Sequence, residues 1–294
     1  MAIRRRPVAI LLVLVTGLIA TPAAAKSHPT ATRSPVVVIV LENHGYDEVV
    51  DNPEAPYLNG LARRGALATD YYAVAHPSLP NYLALLGGST FGIGSDCTKC
   101  VARGSSLAGQ LSGSGIDWRA YMEGMPHACF RGERAGGYVK KHDPFMYFPS
   151  IAANSRRCAN VVPTRRLRAD LRRHSLPAFA WIGPDLCYSA HDCNLATADL
   201  RLSNLVPRIA RQLGPRGLLV VTFDEGKGEA GCCGEPGGGH VFTVAIGPGV
   251  PHGVRLKQTY DHYSLLAGLE DRFGLPRLRQ ARQAKALPLR SWGS

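Results

Sequence analysis

The stretch Pro35-Val-Val-Val-Ile-Val-Leu41 decides the fold class of this chain. It is a continuous apolar, β-branched run without alternation, which is typical of a strand buried on both faces of a parallel sheet. Residues 218–223 (LLVVTF) repeat the pattern, and residues 178–182 (AFAWI) do so less purely. Segments with helical spacing separate these runs, at residues 57–64, 79–86 and 197–213. The alternation predicts an α/β fold with a largely parallel central sheet and helices on both faces.

The remaining segments complete this outline. Residues 240–246 predict another strand, and residues 263–273 predict an amphipathic helix that Gly274 ends. Residues 91–162 are rich in Gly, Cys and aromatic residues and have weaker periodicity, so we expect a disulfide-tied insertion that roofs a site. No repeat or low-complexity linker interrupts the chain after its leader, and residues 26–294 are predicted to form a single domain.

Composition and charge exclude several classes of protein. With 45% hydrophobic and 19% charged residues in 294, the chain has ample material for a core and is not a disordered tail. The 32 glycines and 21 prolines disfavour a coiled coil or a helical solenoid. The net charge of +12 favours contact with anionic partners, including an anionic membrane or lipid surface. Its basic runs, residues 156–173 and 277–290, lack the interleaved aromatic residues that stack on bases, so no specific nucleic acid partner is expected.

The first 25 residues resemble a signal peptide. Three arginines at 4–6 precede an apolar run at 8–20, and Ala23-Ala24-Ala25 supplies small residues for cleavage. The apolar run is shorter than the roughly 20 residues of a membrane span, so a membrane anchor is the weaker alternative. We therefore expect a secreted, extracellular protein, exported by the general or the twin-arginine route. All eight cysteines follow this leader and are expected to form disulfides, although eight cysteines allow 105 pairings.

Acidic residues follow two of the buried strands directly. Glu42 and Asn43 come after the first, and Asp224 and Glu225 come after the strand at 218–223. Because the carboxyl ends of parallel strands meet at one edge of the sheet, these groups would repel each other unless a cation lies between them. Oxygen ligands suit Ca, Mg or Mn better than zinc, so one divalent metal ion is expected. The alternative is that each acidic pair caps a following helix.

Residues 76–82 (HPSLPNY) lead into the predicted helix at 79–86 and overlap its first turn. Ser78 is well suited to be its N-cap, with Pro80 in the first turn. A helix N-terminus is also an anion site, where a serine hydroxyl could attack a phosphorus atom held by backbone amides. The two roles are compatible, and the sequence leaves both open.

Taken together, these blocks resemble a known family. They are Val-Leu-Glu42-Asn43-His, His-Pro-Ser78-x-Pro-Asn, Pro184-Asp-x-Cys-x-x-x-His191-Asp192, Thr222-Phe-Asp224-Glu225-Gly and Gly239-His240-Val. In this order, and over about residues 35–275, they are similar to the bacterial phosphoesterase family of acid phosphatases and non-specific phospholipases C. The resemblance implies an alkaline-phosphatase-like fold with a metal-bound serine or threonine nucleophile.

The resemblance also assigns roles to individual residues. Ser78 would be the nucleophile, His142 and His191 would contact the phosphoryl oxygens, and His240 would complete the catalytic set. The metal ligands would be Glu42, Asn43, Asp224 and Glu225. Asp143 departs from the family pattern, in which asparagine is commoner, and Tyr188-Ser-Ala190 replaces a more acidic stretch before His191. His240 would reach the catalytic edge only if its strand runs antiparallel to the others.

These observations predict a secreted, metal-dependent hydrolase of phosphate esters that acts through a phosphoserine intermediate. An acid phosphatase is favoured, with a phospholipase C-type phosphodiesterase as the alternative. A metal-independent serine esterase would need a Gly-x-Ser-x-Gly elbow, which residues 104–106 and 113–115 do not match. A non-enzymatic binder of anionic polymers is the further alternative. The sequence leaves the oligomeric state open.

Overall fold

The two apolar runs at residues 36–41 and 218–223 lie side by side in the computed structural model, which describes residues 1–3 and 34–293. Val36 lies opposite Leu218 and Leu41 lies opposite Phe223, in parallel register. Every residue of both strands is buried, as their unbroken apolar character predicts. Residues 4–25 of the predicted signal peptide lie outside the described residues.

Within residues 34–293 the chain forms twelve strands, nine α-helices and four short 3-10 helices. The strands are β1 Val36–Leu41, β2 Ala66–Ala68, β3 Tyr71–Tyr72, β4 Trp118–Met122, β5 Arg134–Ala135, β6 Tyr138–Val139, β7 Val161–Pro163, β8 Phe179–Gly183, β9 Leu218–Phe223, β10 Thr243–Ile246, β11 Val254–Leu256 and β12 Tyr260–Asp261. The helices are α1 Tyr46–Val49, α2 Pro56–Arg64, α3 Ser78–Gly87, α4 Leu107–Gly113, α5 Pro149–Ala152, α6 Ser155–Cys158, α7 Arg165–Arg172, α8 Leu195–Ala210 and α9 His262–Phe273. The 3-10 helices are Lys140–His142, Pro144–Tyr147, Arg279–Arg282 and Ser291–Gly293.

The central sheet of the described chain has eight strands in the order β11-β2-β10-β9-β1-β8-β4-β7. Every neighbouring pair is parallel except those of β10, which runs antiparallel to both β9 and β2. The predicted largely parallel sheet is therefore confirmed. The start of β10, which follows His240, lies at the same edge as the ends of β1 and β9, as the sequence required.

Helices flank the sheet and pack in pairs, α2 with α8 and α3 with α9. The Asp199 carboxylate on α8 accepts hydrogen bonds from the Tyr57 and Leu58 amides at 3.0 and 2.7 Å, and so holds the first turn of α2. A capping box between Asp261 and Ser264 begins α9. As predicted, Gly274 ends α9 with a φ of +66°, a conformation that costs glycine little.

The segment at 91–162 differs from the predicted insertion. It contributes β4 and β7 to the central sheet, where β4 pairs with β8 and β7 forms the edge. These strands are short and Arg119 interrupts the apolar run of β4, so neither resembles the buried runs that identified β1 and β9. The stretch between β4 and β7 lies outside the central sheet, and a disulfide from Cys129 to Cys158 links two parts of it.

All eight cysteines are paired, which confirms the expected disulfides and resolves the pairing that the sequence left open. The bonds are Cys97–Cys100, Cys129–Cys158, Cys187–Cys193 and Cys232–Cys233. Within the part of the chain that the structure describes, no helix has both the length and the apolar character required to cross a bilayer.

Candidate active site

Three acidic side chains meet where β1 and β9 end. Glu42 and Asp224 follow the two strands and are fully buried, and Glu225 is 7% exposed. Asn43 adopts a φ of +59°, which lets its backbone amide donate to Asp224 Oδ1 at 3.1 Å. The Glu225 amide donates to the same oxygen at 2.7 Å. Asp224 Oδ2 is buried and has no hydrogen-bond partner among the described residues.

The helix-cap alternative for these acids is wrong. Gly45 is the N-cap residue of α1. No helix lies in the described chain between Asp224 and β10. The side chains that follow β1 and β9 therefore meet at the edge of the sheet. This is the arrangement for which a bound cation is predicted.

Ser78 is directed into this acidic group. It is the first residue of α3 and is 1% exposed, and its side chain makes no capping hydrogen bond because Pro77 is the N-cap. Its hydroxyl lies 3.2 Å from Glu42 Oε2 and 3.1 Å from Glu225 Oε1. Of the two roles that the sequence left open, the structure excludes the side-chain cap and leaves the hydroxyl beside the predicted metal ligands.

The electrostatics of these carboxyl groups suit a bound cation. Burial, and then the charge of Asp224, raise the pKa of Glu42 well above its ordinary value. Burial and the neighbouring Glu225 raise the pKa of Asp224 to about 7. A divalent cation would neutralise this repulsion and give the orphaned Asp224 Oδ2 a partner. The oxygen donor set fits a hard cation of the Ca, Mg or Mn type.

Two of the three predicted histidines adjoin the acids. His142 is 3% exposed, and its Nε2 lies 3.2 Å from Glu42 Oε2 without forming a hydrogen bond. Burial, followed by the charges of Lys141 and His191, lowers the pKa of His142 well below its ordinary value. The rings of His142 and His191 are 5.5 Å apart. One ligand atom from each of Glu42, His142 and His191 lies within 4.8 Å of the others, so this mixed set could also hold a metal ion.

His240 lies apart from this group. Its Nε2 is 3.1 Å from the Thr69 carbonyl, and its ring stacks on Tyr46 at a centroid distance of 4.4 Å. Among the described residues it has no hydrogen bond, ion pair or ring contact with Ser78 or with the predicted metal ligands. Its strand runs in the required direction, but the ring is turned toward the aromatic side chains of Tyr46 and Tyr72. A catalytic role for His240 stays a prediction.

Two residues of the site were not assigned a role from sequence. His76 Nδ1 contacts Glu225 Oε2, and the Tyr82 hydroxyl donates to Glu42 Oε1. Tyr82 follows Ser78 by four positions on α3, so helical spacing alone places both side chains on one face. That spacing could have identified Tyr82, whereas the contact of His76 with a residue 149 positions away had no local signal.

The remaining residues of the motifs hold the loops in place. Asn81 is fully buried, and its Oδ1 accepts hydrogen bonds from the Val74 and Ala75 amides while its Nδ2 donates to the Ala75 carbonyl. Gly238 packs so closely on this loop that a Cβ would lie 2.3 Å from the Ala75 carbonyl oxygen. The Gly226 amide donates to the Gly238 carbonyl at 2.8 Å. The loop that carries His76 is thereby held against the loop that carries Glu225.

The fold and this site define the class of protein by architecture, because solved structures share an alkaline-phosphatase-like fold with this chain. A superfamily protein from Vibrio parahaemolyticus superimposes with a TM-score of 0.58 at 13% identity, over 85% of this chain and 70% of that one. The lipoteichoic acid synthase LtaP of Listeria monocytogenes gives a TM-score of 0.56 at 10% identity, over 89% and 76% of the two chains. These likenesses show the fold.

Sequence comparison identifies the family. The family model of the Phosphoesterase family matches residues 49–276, and this chain belongs to that family. It is 34% identical over 234 residues to the phosphate-repressible acid phosphatase of Penicillium chrysogenum, covering 75% of this chain and 55% of the relative. It is 30% identical over 265 residues to the phosphatidylinositol-3-phosphatase of Mycobacterium tuberculosis, covering 89% and 83%. The chain spans 54–59% of the length of the fungal acid phosphatases that it matches.

Proposed function

We propose that this protein is a secreted, metal-dependent phosphatase that hydrolyses phosphate monoesters through a phosphoserine intermediate. The observation that carries the proposal is the Ser78 hydroxyl, which lies between Glu42 and Glu225 beside the buried Asp224 carboxylate. The acid phosphatase relatives and the four disulfides support the assignment.

Glu42, Asn43, Asp224 and Glu225 would hold one divalent cation of the Ca, Mg or Mn type. When bound, the cation would supply Lewis-acid stabilisation of negative charge on the serine oxygen and the phosphoryl group. The raised pKa values of Glu42 and Asp224, and the partnerless Asp224 Oδ2, support this donor set. A set that includes Glu42, His142 and His191 is the alternative, because His142 Nε2 is also buried without a hydrogen-bond partner in the described chain.

The residues of the chain would carry the proton transfers. Ser78 Oγ loses its proton to a neighbouring carboxylate as it forms the bond to phosphorus, and the bond to the alcohol oxygen breaks. His191 would give a proton to the departing alcohol, because its Nδ1 is held by Asp192 at 2.7 Å while its Nε2 faces the site. Water then attacks the phosphoserine and gives a proton to His191, phosphate is released, and the carboxylate returns its proton to Ser78 Oγ. Two inversions at phosphorus give net retention.

A lipid phosphate is the second candidate substrate, because the mycobacterial relative is named for phosphatidylinositol 3-phosphate. The basic run at 156–173 gives this candidate less support. Helix α7 begins after the carboxyl end of β7 and runs back toward the start of β8. Its last residue, Arg172, therefore lies near the edge of the sheet opposite Ser78. A membrane bound there would lie far from the nucleophile. The basic residues at that end of α7 therefore do not support a phospholipase C that works on a surface.

The test is hydrolysis of an aryl phosphate by the purified protein, before and after chelation and after separate addition of Ca, Mg and Mn. We expect chelation to abolish turnover and one of the three ions to restore it. A greater kcat/KM for an aryl phosphate than for the matched aryl phosphocholine supports the monoesterase, and the reverse order supports a phosphodiesterase. Turnover that resists chelation and is blocked by acyl-directed serine reagents would indicate a serine esterase. Binding of polyphosphate without turnover would indicate a binding protein.

A further inference from the structure

A lysine and an aspartate adjoin the nucleophile without belonging to the predicted catalytic set. Lys141 Nζ lies 2.8 Å from Asp96 Oδ2 and 3.5 Å from His191 Nε2. The other Asp96 oxygen, Oδ1, accepts the Leu79 backbone amide at 3.0 Å. Leu79 directly follows Ser78, so Asp96 joins the first turn of α3 to the Lys141 ammonium.

The position of Lys141 is suited to an anionic substrate. Its side chain is 21% exposed, so it can meet a ligand from solvent, and it faces His191 across the open side of the site. His142 Nε2, which is buried and without a hydrogen-bond partner, lies on the neighbouring ring. His142 Nε2 lies 3.2 Å from Glu42 Oε2, and a ring nitrogen of His191 lies within 4.8 Å of both groups. The partnerless oxygen of Asp224 belongs to the acidic group. The site therefore offers a place for anionic oxygens as well as one for a cation.

The number of negative charges on the substrate distinguishes its two classes. A phosphate monoester carries nearly two charges and a diester carries one, and the diester has a second alcohol group in place of the second anionic oxygen. An ammonium group gains a charge-assisted hydrogen bond from the second anionic oxygen. Beside a diester, the ammonium group would face an ester oxygen instead. It would lose its hydration without gaining an equivalent hydrogen-bond partner.

We propose that Lys141, held in place by Asp96, is the residue that selects phosphate monoesters over diesters. This assignment rests on the proposed function. Lys141 would contact the second anionic oxygen of the substrate, and Asp96 would act as a positioning residue. The alternative is an ordinary ion pair at the surface, which would contribute little to stability and nothing to selectivity.

The test compares two inhibitors of aryl phosphate hydrolysis, phenylphosphonate as the dianion and its monomethyl ester as the monoanion. In Lys141→Met and Lys141→Gln, we expect the inhibition constant of the dianion to rise about 10- to 100-fold, the range for loss of a hydrogen bond to a charged group. That of the monoester anion should change less than about threefold. Lys141→Arg should restore part of the preference. Asp96→Asn should raise KM more than it lowers kcat, because the lysine remains but is no longer anchored.

Lys140→Met is the matched control. The adjacent Lys140 donates to the Thr98 carbonyl and lies over the Tyr147 ring, at 4.7 Å from its centroid. Its replacement by methionine should leave the ratio of the two inhibition constants unchanged. Equal weakening of both inhibitors in the Lys141 variants, or the same change of ratio in Lys140→Met, would overturn the assignment while leaving the phosphatase intact. Absence of turnover in the wild type, or turnover that survives Ser78→Ala, would overturn the proposed function and this assignment with it.

Discussion

The hydroxyl of Ser78 lies 3.1 Å from Oε1 of Glu225, although 147 positions separate the two residues in the chain. Two loops must meet for this contact to form. Asn81 fixes the backbone before the helix, and Gly238 allows the same loop to approach the residues after β9. Ser78, the proposed nucleophile, is thus positioned by a buried amide and a missing side chain as much as by its own helix.

Replacing Asp224 with asparagine should remove the metal ion and reduce turnover at least about 100-fold, because a hard cation depends on the full set of anionic oxygens. Metal content by mass spectrometry and kcat with an aryl phosphate are the measurements. Glu229→Gln is the control, since Glu229 is exposed in the loop that follows. His142→Ala tests the choice of donors. Retained metal in that variant supports the oxygen set, and loss of metal would show that the histidine is a ligand.

Ser78→Ala should reduce kcat at least about a thousand-fold and change the free energy of unfolding by less than about 1 kcal/mol, because the lost hydroxyl is the proposed nucleophile and does not cap α3. Ser106→Ala should do the opposite. The Ser106 side chain accepts the Gly109 amide at 3.2 Å as the N-cap of α4, and its loss should cost about 1 kcal/mol without affecting turnover. A chiral aryl phosphate should give net retention at phosphorus in the wild type. Inversion would contradict the phosphoserine intermediate.

His76→Gln should lower kcat/KM about 10- to 100-fold, because His76 orients Glu225 from the side away from Ser78. Loss of a contact that orients a metal ligand typically lowers activity by that factor. The metal should still bind when supplied in excess. His252→Gln, which changes an exposed histidine, should have no effect. Full activity of the His76 variant at low metal concentration would show that Glu225 does not need this contact.

Asp170→Asn should destabilise the protein by about 1.5 to 3 kcal/mol, because loss of the buried carboxylate charge weakens hydrogen bonds to two arginines that are themselves partly exposed. Asp170 is 1% exposed and accepts from Arg119, Tyr121 and Arg166 at 2.6 to 2.8 Å. Asp271→Asn removes a carboxylate that is 28% exposed and should cost less than about 1 kcal/mol. Urea unfolding of both variants measures the difference. Equal losses would mean that burial does not decide the contribution of these pairs.

Glu270→Gln should raise the melting temperature at pH 8 and leave it nearly unchanged near pH 4. Burial raises the pKa of Glu270 from its ordinary 4.5 to about 8, and its Oε2 is buried without a partner among the described residues. The protonated group is favoured in the folded state, so its contribution is complete below 4.5 and is lost as pH rises through about 8. The amide should recover about 1 to 3 kcal/mol at pH 8, the cost of an unsatisfied buried group. The exposed Glu54→Gln should give parallel curves; a Glu270 variant that follows the wild type at every pH would refute the shift.

The sequence by itself determined the parallel core and the acidic edge of the site. The apolar runs of β1 and β9 are local patterns, and the residue that follows a buried parallel strand must lie at the carboxyl edge of the sheet. Glu42 and Asp224 could therefore be placed together without coordinates. Strand patterns did not identify His142 and His191. Only the family resemblance distinguished them from the other histidines, of which the chain has ten in all.

Only the tertiary structure decided which distant segments support that edge. The short strands β4 and β7 joined the sheet through pairing with neighbours, which a run of five or three residues does not reveal. His76 reached Glu225, and His240 turned toward Tyr46, for the same reason. Periodicity reports how one segment meets its nearest surroundings, whereas contacts between loops depend on the packing of many segments at once, and no single stretch of sequence encodes that packing.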